Sequence, residues 1–145
     1  MESKLREDLK QAQLMENELV VATLRLLLSE ITNAQIAKGE KLSDDEIITV
    51  IQKELKKRRE SAEAYRNAHR EELLEREEAE AAILESYLPE QMSDEELSEV
   101  VRETIQNLGA SGIKDMGRVI AEVKSKVGKA ADGARISSKV REGLS

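Results

Sequence analysis

The chain has 145 residues; 37% of them are charged, 1% are aromatic, and there is one proline and no cysteine. A core without Phe or Trp must be built from Leu, Ile, Val, Met and Ala, and the lack of cysteine excludes a disulfide framework, a Cys–zinc site and a thiol nucleophile. A net charge of −7 argues against indiscriminate nucleic-acid binding over the whole surface.

Charge this dense reads as disorder unless apolar residues recur at helical spacing, and here they do. From Glu2 to about Met15, Leu5, Leu9 and Ala12 form one stripe of a first helix. Asn17 is placed to cap a second, on which Val20, Leu24, Leu27, Leu28 and Ile31 recur. Gly39 is placed to close it in the left-handed conformation. Ser43-Asp44-Asp45-Glu46 has the spacing of a capping box. It opens a third helix with Ile47, Ile48, Ile51 and Leu55 inside, running to about Ala68. A fourth, from about Arg70, carries Leu73, Leu74, Ala79, Ile83, Leu84, Tyr87 and Leu88. Pro89 ends it, and Ser93-Asp94-Glu95-Glu96 offers a second capping box immediately after.

Three short helices complete the chain. Leu97, Val100, Val101, Ile105 and Leu108 line the first, which Gly109 closes. Asp115 is placed to cap the second, lined by Met116, Val119, Ile120 and Val123. Asp132 is placed to cap the third, lined by Ile136, Val140 and Leu144. The expected fold is all-α, with an N-terminal four-helix domain (1–89) and a small three-helix tail (93–145). The charged N-terminus lacks the apolar core of a secretory signal, and no uninterrupted apolar run approaches a membrane span. The expectation is a cytoplasmic protein without a membrane partner.

Charge is unevenly divided. Residues 1–92 carry 14 Lys+Arg against 21 Asp+Glu, whereas 109–145 carry eight basic residues against four acidic ones. The eight are Lys114, Arg118, Lys124, Lys126, Lys129, Arg135, Lys139 and Arg141. They are candidate phosphate contacts, although they do not form a single helical stripe. A second basic cluster, Lys53, Lys56, Lys57 and Arg58, is either a phosphate-contacting face or an ordinary solvent face paired with Asp45, Glu46, Glu60 and Glu63.

Catalytic chemistry finds little support. His69 is the only histidine; without a partner it reads as structural. The carboxylates from Glu71 to Glu80 read as a solvated helix face. A di-metal site inside a bundle would need Glu-x-x-His pairs, and Arg66 stands three residues before His69. No catalytic residue, cofactor or metal is expected.

Five stretches, taken in order, resemble a known family: Thr23-Leu24-Arg25-Leu26-Leu27-Leu28-Ser29-Glu30-Ile31, Gln52-Lys53-Glu54-Leu55-Lys56-Lys57-Arg58-Arg59-Glu60-Ser61, Tyr87-Leu88-Pro89, Lys114-Asp115-Met116-Gly117 and Ala131-Asp132-Gly133. The chain resembles the YqeY-like proteins, a bacterial family sharing its C-terminal domain with the tail of GatB, a component of the aspartyl/glutamyl-tRNA amidotransferase. The resemblance implies a four-helix domain followed by a three-helix tail. It also implies tRNA or a related RNA as partner, or a component of the amidotransferase. The activity that travels with the family is carbon–nitrogen ligation with glutamine as amido donor. In the amidotransferase the phosphorylating site and the ammonia supply lie outside the tail, so a shared tail carries over a binding role. Within the tail motifs, Asp115 and Asp132 serve as caps, while Gly117 and Gly133 serve turn geometry, close packing or ligand approach.

Overall fold

The computed structural model describes residues 1–145. Seven α-helices follow one another: α1 (Glu2–Leu14), α2 (Glu18–Lys38), α3 (Asp44–Asn67), α4 (Glu71–Glu85), α5 (Asp94–Leu108), α6 (Met116–Val127) and α7 (Gly133–Leu144). Single 3-10 turns precede α6 (Ile113–Asp115) and follow it (Gly128–Ala130). The fold is all-α. It divides into two compact units, Met1–Leu88 and Pro89–Ser145.

The N-terminal unit buries Leu5 of α1, Leu24, Leu27, Leu28 and Ile31 of α2, Ile47, Ile51 and Leu55 of α3, and Ala81 and Leu84 of α4. These are the aliphatic positions that helical spacing brings to one side. α2 is the most apolar helix. By length and composition it could cross a membrane, with a mean hydropathy of 1.3 over its best window, a property that a search for uninterrupted apolar runs misses. In the fold its Leu24–Leu27–Ile31 face is core.

α3 and α4 form the broadest helix pairing, and charge sets much of its register. Arg58 lies 3.3 Å from Glu77 and 3.4 Å from Glu80, with all three side chains largely covered. Arg59–Glu85 and Arg66–Glu78 continue the series toward either end of the hairpin. Burial pushes the Glu77 carboxyl up, opposed by the Arg58 guanidinium. On the expected α4 face Glu80, Ala81 and Leu84 are buried, whereas Leu73, on the same face seven residues before Glu80 but in the first turn, is exposed. α4 also stops at Glu85, so Tyr87 and Leu88 reach the core from the turn before Pro89. The Tyr87 hydroxyl donates to Asp8 at 2.6 Å.

Helix ends are closed by local hydrogen bonds. Asn17 accepts from the Val20 amide, and Ser43 and Glu46 form the complete capping box. Lys38 at the end of α2 adds a 2.6 Å bond to Glu46, so one carboxylate ties two helices across the 39–43 turn. At Ser93 only half of the expected box forms, the hydroxyl accepting from the Glu96 amide. Gly39 and Gly109 are left-handed, as the closing role requires. Glu16 and His69 take the same conformation without being glycine. At His69 the Arg70 amide reaches back to the Tyr65 carbonyl, the six-residue bond of a Schellman closure. The sole histidine is thus the residue that ends α3.

The C-terminal unit centres on Leu97, Val101, Val119, Val123, Ala131, Ile136 and Val140. Thr104 is also fully buried. Its hydroxyl donates to the Val100 carbonyl at 2.7 Å and accepts from Lys126 at 3.0 Å, which removes the penalty of an unpaired buried polar group. Gly128 has φ 56° and ψ −127°, a combination that side chains resist. Gly143 packs closely, since a Cβ there would lie 2.7 Å from Ile105 Cδ1.

These helix ends can be tested by substitution. His69→Gly removes a left-handed side chain and should raise stability by about 1 kcal/mol, read as a higher urea midpoint at unchanged m-value. Glu46 is held down at about 2, first by Lys38 and then by the Ser43 amide. Its depressed value means a contribution that is complete above pH 4.5, the unfolded value, and lost as pH falls toward 2. Glu46→Gln should flatten the acid limb of stability in that window when urea midpoints are compared.

Candidate nucleic-acid interface

The basic residues sort into those that hold the fold and those that do not. On α3, Lys57 bonds Glu54 at 3.1 Å and Arg58 is enclosed by Glu77 and Glu80. Lys53 and Lys56 are exposed and make no ion pair. With Lys57 they line an open groove beside Glu30 and Asn33 of α2 and Glu54 and Glu60 of α3. The pairings expected with Asp45, Glu46, Glu60 and Glu63 do not form, because Glu46 is taken by Lys38 and Glu63 by Arg66.

In the C-terminal unit four candidates serve the structure. Arg135 donates to the Met92 carbonyl at 2.6 Å and to Asp94 at 3.0 Å, fastening the segment before α5 to α7. That hydrogen bond, followed by the Lys139 charge, holds the Asp94 carboxyl below its usual range. Arg118 reaches the Leu108 carbonyl at 3.4 Å and Asp115 at 3.5 Å, spanning the α5–α6 connection. Lys126 serves Thr104, and Lys139 lies 3.5 Å from Glu142. The Lys129 carbonyl accepts from Gln91 at 3.0 Å. Lys114, Lys124 and Arg141 remain exposed, with no ion pair or hydrogen bond inside the chain.

The two tail motifs behave differently. Asp132 accepts from the Arg135 amide at 2.8 Å and caps α7 as expected. Asp115 does not cap α6. It already lies in helical conformation at the end of a 3-10 turn, and its carboxylate turns back to accept from the Ser111 amide at 3.0 Å. Nor does packing require the glycines: nothing lies within 4 Å of a Cβ built on Gly117, and Gly133 would meet only the Lys124 side chain, at 3.8 Å. The glycine with the closest packing is Gly143, outside both motifs, against the terminal methyl of Ile105.

A small-residue surface results. Gly117, Ala121 and Lys124 share one face of α6, and Ala134, Ser138 and Arg141 one face of α7; all six are exposed. The Lys124 side chain reaches the start of α7, 3.8 Å from where a Cβ on Gly133 would lie.

The family described as Yqey-like protein matches residues 2–144. The chain belongs to the YqeY-like family. A protein of Pyrenophora tritici-repentis named altered inheritance of mitochondria protein 41, mitochondrial, is 32% identical over 142 residues, covering 96% of this chain and 78% of its own length. A protein of that name from Clavispora lusitaniae is 32% identical over 111 residues, 75% of this chain and 65% of its own. Another, from Lachancea thermotolerans, is 36% identical over 87 residues, 59% of this chain and 46% of its own. The expectation of a cytoplasmic protein is corrected here, since these relatives are named as mitochondrial; all three are fungal. A lack of cysteine does not choose between compartments.

Arg135→Met should lower the unfolding free energy of the C-terminal unit by about 1.5–3 kcal/mol, the worth of hydrogen bonds from a charged group, in denaturant titration. Lys124→Ala should stay within about 0.5 kcal/mol of the parent.

Proposed function

We propose that this YqeY-like protein is a non-catalytic RNA-binding accessory protein whose C-terminal unit holds tRNA or a related RNA by its phosphates. The observation that carries the reading is the α6–α7 surface, where Lys114, Lys124 and Arg141 stand exposed without carboxylate partners. Gly133 adjoins Lys124, and neither it nor Gly117 has a packing need for glycine. A surface lacking side-chain bulk lets a phosphodiester backbone approach the peptide closely, and flanking cations gain by releasing counterions. No aromatic residue lies in the C-terminal unit, so base stacking does not contribute and sequence discrimination should be weak. Lys53 and Lys56 supply further unpaired cations on the N-terminal unit. The link to tRNA-dependent amidation rests on the resemblance of the tail, which carries a binding role.

The test is fluorescence anisotropy with bulk tRNA at two salt concentrations. The parent should bind, with affinity falling steeply as salt rises. Lys114→Glu/Lys124→Glu/Arg141→Glu should weaken binding and reduce the salt slope by about 2, roughly 0.7 for each lost single-strand phosphate contact. An unchanged affinity and slope in that triple variant, with its helicity intact, would sink this placement of the site.

A further inference from the structure

α2 holds the most apolar sequence of the chain, yet only 28% of its apolar window is buried. Opposite the core face, Ala22, Leu26, Ser29, Asn33 and Ile36 follow one another at steps of four, three, four and three residues. All five are exposed, Leu26 at 45% and Ile36 at 74%. Leu19, half-buried, extends the row by one step toward the N-terminus. This is the a/d spacing of a two-stranded coiled coil, with Leu19, Leu26 and Asn33 at a and Ala22, Ser29 and Ile36 at d.

The flanks are charged in a self-complementary way. Arg25 stands at a g position and Glu30 at the e position five residues later, and neither makes an ion pair within the chain. In a parallel pair of helices, g of one strand meets e of the next heptad on the other. Arg25 of each copy would therefore face Glu30 of the second copy, twice. An antiparallel pair sets like flank against like and leaves both Glu30 carboxylates without a basic partner. Asn33 at a single a position is the device that selects two strands in register, and small Ala22 and Ser29 at d allow close approach. The groove beside Glu30 holds Lys53, Lys56 and Lys57 against Glu54 and Glu60, so with Glu30 its charge is balanced and does not repel an incoming Arg25.

We infer that α2 is a self-association face and that two copies of this chain pair through parallel, in-register α2 helices. The seam is short: α2 has 21 residues, about 31 Å of helix. The dimer is accordingly weak, with a Kd in the micromolar range.

Sedimentation equilibrium from about 1 µM to about 1 mM tests this on the intact chain. The parent should show a monomer–dimer equilibrium. Leu26→Asp/Ile36→Asp, both at exposed positions, should be monomeric with an unchanged helical circular dichroism spectrum. Arg25→Glu should weaken the dimer by about tenfold or more, and Arg25→Glu/Glu30→Arg should restore it. Because the chain has no cysteine, Ser29→Cys should form an inter-chain disulfide on mild oxidation, and Lys10→Cys on α1 should not. A parent that stays monomeric at every concentration overturns the proposal. So does a dimer indifferent to the Leu26 and Ile36 changes, or a charge swap that fails to rescue. A monomer that instead co-floats with phospholipid vesicles, and loses this with Leu26→Asp/Ile36→Asp, would make a lipid surface the occupant and overturn it equally.

Discussion

Cores built only from aliphatic side chains leave helix register to be fixed elsewhere. A buried aromatic contributes large area and a specific contact geometry; Leu, Ile, Val and Ala contribute area with little directional preference. In the N-terminal unit the directional element is the Arg58 guanidinium, facing Glu77 and Glu80 across the α3–α4 hairpin. Its geometry is rigid and its charge permanent. Glu80 is thereby held in a buried position that the apolar pattern of α4 alone does not mark. In the C-terminal unit Arg135 does the equivalent work on the segment before α5.

That division explains what was legible in the residues and what was not. Asn17, Gly39, Ser43, Gly109 and Asp132 act through neighbours within four residues in sequence, so their caps and closures could be read directly. The apolar stripes of α1, α2, α5, α6 and α7 were equally plain, since a period of 3.6 is a local property. The contacts that could not be read span long separations: Arg58 to Glu80, Arg59 to Glu85, Arg135 to Met92, Lys126 to Thr104. In a chain with 53 charged side chains among Lys, Arg, Asp and Glu (23 basic and 30 acidic), no local rule says which opposite charges meet. Asp115 shows the reverse error, a correct capping letter in a segment that turns helical one residue too early.

The same uncertainty governed the candidate interface. Eight basic residues in the last 37 positions suggested a broad positive face. Once folded, Arg118, Lys126, Arg135 and Lys139 answer to carbonyls, a hydroxyl and carboxylates of their own unit. Arg118 and Arg135 each commit one guanidinium nitrogen to such bonds, which fixes where their remaining donors can reach. Lys114, Lys124 and Arg141 have no such commitment. The set of uncommitted cations is smaller than composition suggested, and the proposed interface rests on these three.

Glycine without a packing reason carries more weight than glycine with one. Gly143 is explained by Ile105, Gly128 by its backbone angles, and Gly39 and Gly109 by helix closure. Gly117 stands in a helix, where alanine would be about 1 kcal/mol better, with open space where a side chain would go. Gly133 begins α7 beside a lysine that could move aside. Neither glycine is accounted for by packing inside the chain. On the proposed reading that open space is where the backbone of a polyanion approaches, with Lys124 beside Gly133 as a neighbouring cation.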